Sequence, residues 1–299
     1  MNSNALFSIK EVKLIDYDIF PIYSLLLLLD GRIASSSYDA LIKIYNIDTY
    51  EPELSIGVHT EEVVDLVNID IHHIASCSYD RSIIIFYICG LDYYCEHIYE
   101  NAHDDWIKGI CKLSMNRIAS CSSDTTIKVW NINKPNNLIT VMKGYSESIN
   151  RIMYIEENNY LLSTSNDLSL RLWSMMTYQC ISIIPFFGNG QSMLSIDDDN
   201  VIIGTVDYIK ILNLTSLTIK QEINIEQYKG VYSMIYIGKG IYFCGTAKGK
   251  LLIYDINSNE IIQEVQYHKD TVATMLLVNT HIFLSGSFDE LKVWSFEYK

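Results

Sequence analysis

Short apolar runs alternate with polar turns along almost the whole chain, and the alternation repeats. In each period a run of small residues leads into a polar turn. An apolar run follows, closed by a bulky residue. The clearest copy is Arg117-Ile118-Ala119-Ser120-Cys121-Ser122-Ser123-Asp124-Thr125-Thr126-Ile127-Lys128-Val129-Trp130. The turn residue recurs at Asp39, Asp80, Asp124, Asp167, Asp207, Lys248 and Asp289, with gaps of 41, 44, 43, 40, 41 and 41 residues. In the third period the pattern predicts strands over Trp106 to Leu113, Arg117 to Ser122, Thr126 to Ile132 and Leu138 to Met142. They are joined by turns at Met115-Asn116 and Ser123 to Thr125 and by a loop from Lys134 to Asn137 containing Pro135. β-Branched enrichment and turn chemistry support these assignments, and helical periodicity is scarce. A period of about 40–45 residues is that of a four-stranded propeller blade. The expected fold is all-β: a seven-bladed β-propeller of four-stranded antiparallel blades, occupying residues 1–299 as a single domain.

The chain ends predict how the last blade is completed. The seventh repeat reaches its third strand at Leu291 to Phe296, and only Glu297-Tyr298-Lys299 follow. A spare strand stands at the other end, Ala5 to Val12, and its Ile9-Lys10-Glu11-Val12 parallels Ile262-Gln263-Glu264-Val265 in the sixth repeat. The first strand of the chain is therefore expected to close the ring, which removes an otherwise unpaired edge. Leu25 to Leu29 is too short for a membrane span and ends at Asp30-Gly31, so it reads as a buried strand.

The turn-and-strand pattern resembles the WD40 repeat family, on Ser120-Cys121-Ser122-Ser123-Asp124 followed by Ile127-Lys128-Val129-Trp130-Asn131. Trp130, Trp173 and Trp294 hold that family's Trp position; Tyr45, Phe86, Tyr254 and Leu212 replace it elsewhere. The family's Gly-His dipeptide is reduced to His59, His103 and His268, each 21 residues before Asp80, Asp124 and Asp289. The fifth and sixth repeats depart most. The resemblance implies a rigid scaffold that holds other macromolecules. It also implies that His59, Ser76 and Asp80, then His103, Ser120, Asp124 and Trp130, then His268, Ser285, Asp289 and Trp294 form buried hydrogen-bond networks tying strands together. Read in isolation, each Ser-His-Asp set has the residue types of a catalytic triad. Three equivalent catalytic sites in one repeat protein would be strange, so the structural role is expected and no enzyme.

Composition narrows the partner. Asp and Glu outnumber Lys and Arg 36 to 22, for a formal net charge of −14, which opposes nonspecific binding to nucleic acid or anionic membrane. The seven cysteines are odd in number and form no C-x-x-C, so neither a disulfide framework nor a zinc ribbon is expected. Reduced thiols and the lack of an evident signal peptide fit a cytoplasmic or nuclear chain. His72-His73 point to opposite faces of a strand, so no metal and no cofactor are expected.

One propeller face carries the loops entering each first strand and the turns between second and third strands. Just before the turn position stand Tyr38, Tyr79 and Phe288, and Trp106 enters the third blade. The same loops bring Asp16, Asp18, Glu61, Glu62, Asp104 and Asp105. The expected contact surface is Tyr38, Tyr79, Trp106 and Phe288 with Glu61, Glu62, Asp104 and Asp105. Its partner would be a protein or peptide carrying a basic segment, bound by a monomer within a complex. Two other roles stay open: a permanent structural subunit of a larger assembly, and an enzyme with a central-channel site. The innermost strands Val63 to Val67 and Ile107 to Cys111 carry little chemistry for the latter.

Overall fold

The computed structural model describes residues 6–16, 20–134, 137–186 and 188–299. Ala5, Asp18 and Pro135, which entered the sequence reading, lie outside them. The described residues form seven four-stranded antiparallel sheets, the blades of a seven-bladed β-propeller. A single 3-10 turn, Glu226–Tyr228, is the only helical element among the described residues.

Six blades use four consecutive strands each. Blade 2 is Val63–Asn68, His73–Ser78, Ile83–Cys89 and Asp92–Tyr99; blade 3 is Ile107–Leu113, Arg117–Ser122, Ile127–Asn131 and Leu138–Met142. Blade 7 contains Val272–Leu277, Ile282–Ser287 and Leu291–Tyr298, and its outer strand is the first of the chain, Phe7–Asp16. That strand runs antiparallel to Leu291–Tyr298, from Phe7 opposite Tyr298 to Asp16 opposite Leu291.

The small-residue runs are the second strands. Ala75, Ser76 and Cys77, like Ala119, Ser120 and Cys121, are fully buried between their flanking strands. Small side chains here let neighbouring sheets approach closely. A Cβ on Gly245 would stand 2.6 Å from Val272 of the next blade, and one on Gly286 would stand 2.7 Å from Ile22.

The polar turns also have a common build. Asp80 and Asp124 accept the N–H two residues ahead, at 2.8 Å from Ser82 and 2.9 Å from Thr126. The residue between sits in the left-handed region, Arg81 at φ 69° and Thr125 at φ 71°. This is the side-chain-supported turn that Asp favours. Between the first and second strands of blade 3, Met115 and Asn116 both have positive φ, 60° and 54°, as a tight hairpin twist requires.

The chain falls into two compact units. One comprises residues 26–190 and 195–198, the other residues 1–25, 191–194 and 199–299. In the first, the core runs between successive sheets; Ile107, Ile118 and Trp130 pack with Ala75, Ile83 and Tyr99 of the preceding blade. In the second, Phe7, Phe243, Phe283 and Phe296 form an aromatic cluster, with Phe243 5.5, 5.4 and 5.2 Å from the other three rings. No helix among the described residues is long and apolar enough to cross a membrane.

Candidate functional site

The conspicuous chemistry is inside the blades. In blade 3, Trp130 Nε1 donates to Ser120 Oγ at 2.9 Å, and Ser120 Oγ meets His103 Nε2 at 2.8 Å. His103 Nδ1 then meets Asp124 Oδ2, also at 2.8 Å. One set of donors satisfies this chain throughout: serine donates to Nε2, and the Nδ1–H donates to the carboxylate. Asp124 also accepts from the backbone N–H of Asp104 at 3.1 Å and from the Thr126 hydroxyl at 2.6 Å. The loop that enters the blade is thereby fastened to the turn. Burial by itself would raise the Asp124 carboxyl, but the His103 ring and these hydrogen bonds outweigh it and hold it well below the usual carboxylate range. Burial also lowers His103 below the usual imidazole value, against the pull of Asp124.

Blade 2 repeats the arrangement without the indole. His59 bonds Ser76 Oγ at 2.7 Å and Asp80 Oδ2 at 2.9 Å, while Phe86 fills the Trp position. Both catalytic-looking serines, Ser76 and Ser120, are completely buried, as is His103. Neither serine hydroxyl is placed to meet a substrate.

Blade 7 departs from the expected network. Trp294 and His268 both bond Ser285 Oγ, at 2.7 and 2.6 Å, but Asp289 stands 3.9 Å from His268 Nδ1 and makes no hydrogen bond to it. The reason is the length of the turn. From turn residue to closing aromatic, blade 7 spans six residues (Asp289 to Trp294) where blade 3 spans seven (Asp124 to Trp130). The left-handed residue is missing, and Asp289 accepts from Ser287 Oγ instead. Glu290, which the sequence reading did not single out, comes to 3.5 Å from His268 Nδ1. Burial lowers His268 to about 4, with the Lys292 ammonium adding to it and the two carboxylates opposing it.

Blade 4 has no histidine in this position, and Tyr145 takes its place. Its hydroxyl lies 2.7 Å from Ser163 Oγ, which also accepts from Trp173 Nε1 at 2.8 Å. Arg171 covers the Tyr145 ring at 4.2 Å. Gly144-Tyr145, standing 18 residues before Ser163, was the available signal.

The outward-facing aromatics differ in how far they are exposed. Tyr38 and Trp106 are each 48% exposed. Tyr79 is half-buried because its ring stacks on Trp106, centroids 4.8 Å apart and planes 15° apart. Lys108 crosses the same pair: its ammonium lies 4.4 Å from the Tyr79 ring centre and donates to the Tyr79 hydroxyl at 2.9 Å. Phe288 is half-buried too, edge-on to Tyr23 at 6.1 Å. Glu61, Asp104 and Asp105 are exposed, and Glu62 is half-buried. Asp105 caps its own loop by accepting from the Trp106 N–H at 2.7 Å.

A family model, "WD domain, G-beta repeat", matches residues 94–131 and 136–174. These stretches contain the closing tryptophans Trp130 and Trp173. The chain carries WD40 repeats. Its curated relatives are distant. It is 23% identical over 163 residues to Zinc finger CCCH domain-containing protein 59 of Arabidopsis thaliana, covering 52% of this chain and 34% of that one. It is 24% identical over 132 residues to the WD repeat-containing protein 89 homolog of Dictyostelium discoideum, covering 44% and 36%. It is 31% identical over 132 residues to human Gem-associated protein 5, covering 40% and 9%. The WD40 chain thus spans about a third, or less, of the length of these relatives.

Proposed function

We propose that this WD40 chain is a noncatalytic scaffold, one propeller domain over residues 1–299, that binds a partner protein or peptide on loops of blades 1 to 3. The observation that carries the reading is the contrast between buried and exposed chemistry. Nucleophile, base and carboxylate are locked in hydrogen bonds inside the blades, where a catalytic group would need to reach substrate. The exposed groups are Tyr38 and the Tyr79–Trp106 stack, with Glu61, Glu62, Asp104 and Asp105 beside them on the entering loops. Stacked, half-anchored aromatics lose little side-chain freedom on binding and are common interface hot spots. Four carboxylates outnumber the Lys108 ammonium and the exposed Arg81 of the Tyr79 turn, and favour a partner segment that is basic and carries an apolar anchor. A chain of net charge −14 is a poor ligand for nucleic acid or an anionic membrane. A relative whose name declares association with another protein agrees with a scaffold role. Phe288, edge-on to Tyr23, lies in the second unit and is a candidate contact there in its own right. We place the protein in the cytoplasm or nucleus, as one copy within a complex.

The test is affinity purification with the wild type beside the Tyr38→Ala, Tyr79→Ala double variant. The variant should keep its melting temperature and lose the wild type's partners. Recovery of the same partners at the same yield would overturn the assignment of this surface.

A further inference from the structure

In blades 2 and 3 both ring nitrogens of the buried histidine are engaged; in blade 7 one is not. His268 is 2% exposed and its Nε2 is held by Ser285 Oγ, while its Nδ1 has no hydrogen-bond partner. That nitrogen faces Glu290 Oε2 at 3.5 Å and Asp289 Oδ1 at 3.9 Å. The three donor atoms lie within 4.8 Å of one another. We propose that His268, Asp289 and Glu290 form a binding site for a zinc ion, created by the shortened turn.

Donors placed 2.0–2.1 Å from a tetrahedral ion stand roughly 3.3 Å apart, following from the usual zinc bond lengths. The imidazole nitrogen stands 3.5 Å from Glu290 and 3.9 Å from Asp289, and the whole set lies within 4.8 Å, so the carboxylates must close in by up to about 1.5 Å. An inward turn of the two half-buried carboxylates closes the set and leaves a fourth position for solvent. An imidazole with two carboxylates suits zinc, whereas calcium and magnesium favour all-oxygen shells. The local charge is also right. Asp289, Glu290 and Glu11 gather near Lys292, which lies 2.6 Å from Glu290 and 3.5 Å from Glu11, and Lys269 also acts on Glu290. The carboxylates outnumber these ammonium groups, which favours a cation, and Lys292 stays paired with Glu11 when Glu290 turns to the ion.

The ring proton balances as well. Binding through Nδ1 puts the imidazole proton on Nε2, which donates to Ser285 Oγ. That oxygen already accepts from Trp294 Nε1 at 2.7 Å, and its two lone pairs take both donors. Ser285 then orients the ligand from behind, as partners of metal-bound histidines do.

The experiment loads the full chain with zinc chloride, removes excess by dialysis and measures metal per chain by mass spectrometry. The wild type should retain one zinc, and the Asp289→Asn, Glu290→Gln variant should retain none. His268 is left in place because it also holds the blade together. A wild type without bound zinc, or a variant that keeps it on thiols or on His72 and His73, would overturn the site. Cobalt(II) spectra of the wild type give a second reading that needs no variant. Strong four-coordinate visible bands without a thiolate charge-transfer band agree with the proposal. A thiolate band, or the weak spectrum of six-coordinate cobalt, contradicts it.

Discussion

At the scale of single residues, His103 carries more than its size suggests. Its ring is the sole link between a buried serine and a carboxylate that also holds the entering loop, so removing it orphans polar groups on both sides. His103→Ala should cost about 2–4 kcal/mol, the range for breaking a buried hydrogen-bond network. Denaturant unfolding at neutral pH measures this, and partner binding should persist where the variant is still folded. A dependence on pH identifies the cause. The folded His103 titrates below its ordinary value because burial disfavours the charged ring. Its contribution is therefore complete above the unfolded imidazole value near 6.5, and it fades as pH falls below that, when only the unfolded chain takes the proton. Asp124, held low in the fold, loses its contribution only further down, as pH drops below the usual carboxylate range near 4. The gap between wild type and variant should narrow steadily from pH 7 to pH 4. A gap that stays constant or widens on acidification would show that the ring stabilises the blade by packing alone.

At the scale of the element, one residue in a turn decides which network a blade builds. Blades 1 to 4 and 6 place a left-handed residue directly after the turn position: Ala40, Arg81, Thr125, Leu168 and Gly249 have φ of 65°, 69°, 71°, 62° and 71°. Blades 5 and 7 lack it, since Asp207 to Leu212 and Asp289 to Trp294 each span six residues where the other blades span seven. Inserting a glycine between Asp289 and Glu290 recreates the Lys248-Gly249-Lys250 pattern of blade 6 and should bring Asp289 within reach of His268 Nδ1. The expected gain is about 1 kcal/mol, typical of a hydrogen bond that satisfies a buried donor, read as a rise in melting temperature. A lower melting temperature would mean that the turn length is matched to something other than this pair. The same comparison shows what the amino-acid pattern discloses. Strand number, sheet order and the buried Ser-His-Asp chemistry of blades 2 and 3 are legible, because they follow from spacing within a repeat. The half-burial of Tyr79 and Phe288 is not. It depends on Trp106, Lys108 and Tyr23, partners from other strands with no local signature. Glu290 was legible only through the short count, and Tyr145 only through the Gly144 before it.

At the scale of the whole molecule, the first strand has two separable duties. It covers the edge of Leu291–Tyr298 with backbone pairing, and it delivers Phe7, 4% exposed, to the cluster around Phe243 and Phe296. Gln263 of blade 6 adds two clamps on Phe7, accepting from its N–H at 3.0 Å and donating to its carbonyl at 3.1 Å. Truncating Phe7 to alanine should cost about 3–5 kcal/mol, the range for emptying a buried aromatic site, while the edge stays covered and the protein monomeric. Deleting residues 1–16 removes both duties, leaving a strand of unpaired N–H and C=O groups that a second chain can extend. The deletion should therefore melt lower than Phe7→Ala and also move to dimers and larger species in size-exclusion chromatography with light scattering. A deletion that behaves like Phe7→Ala, less stable but monomeric, would show that the strand acts through its aromatic side chain. A deletion that matches the wild type in both measurements would remove the first strand from any account of what holds blade 7 together.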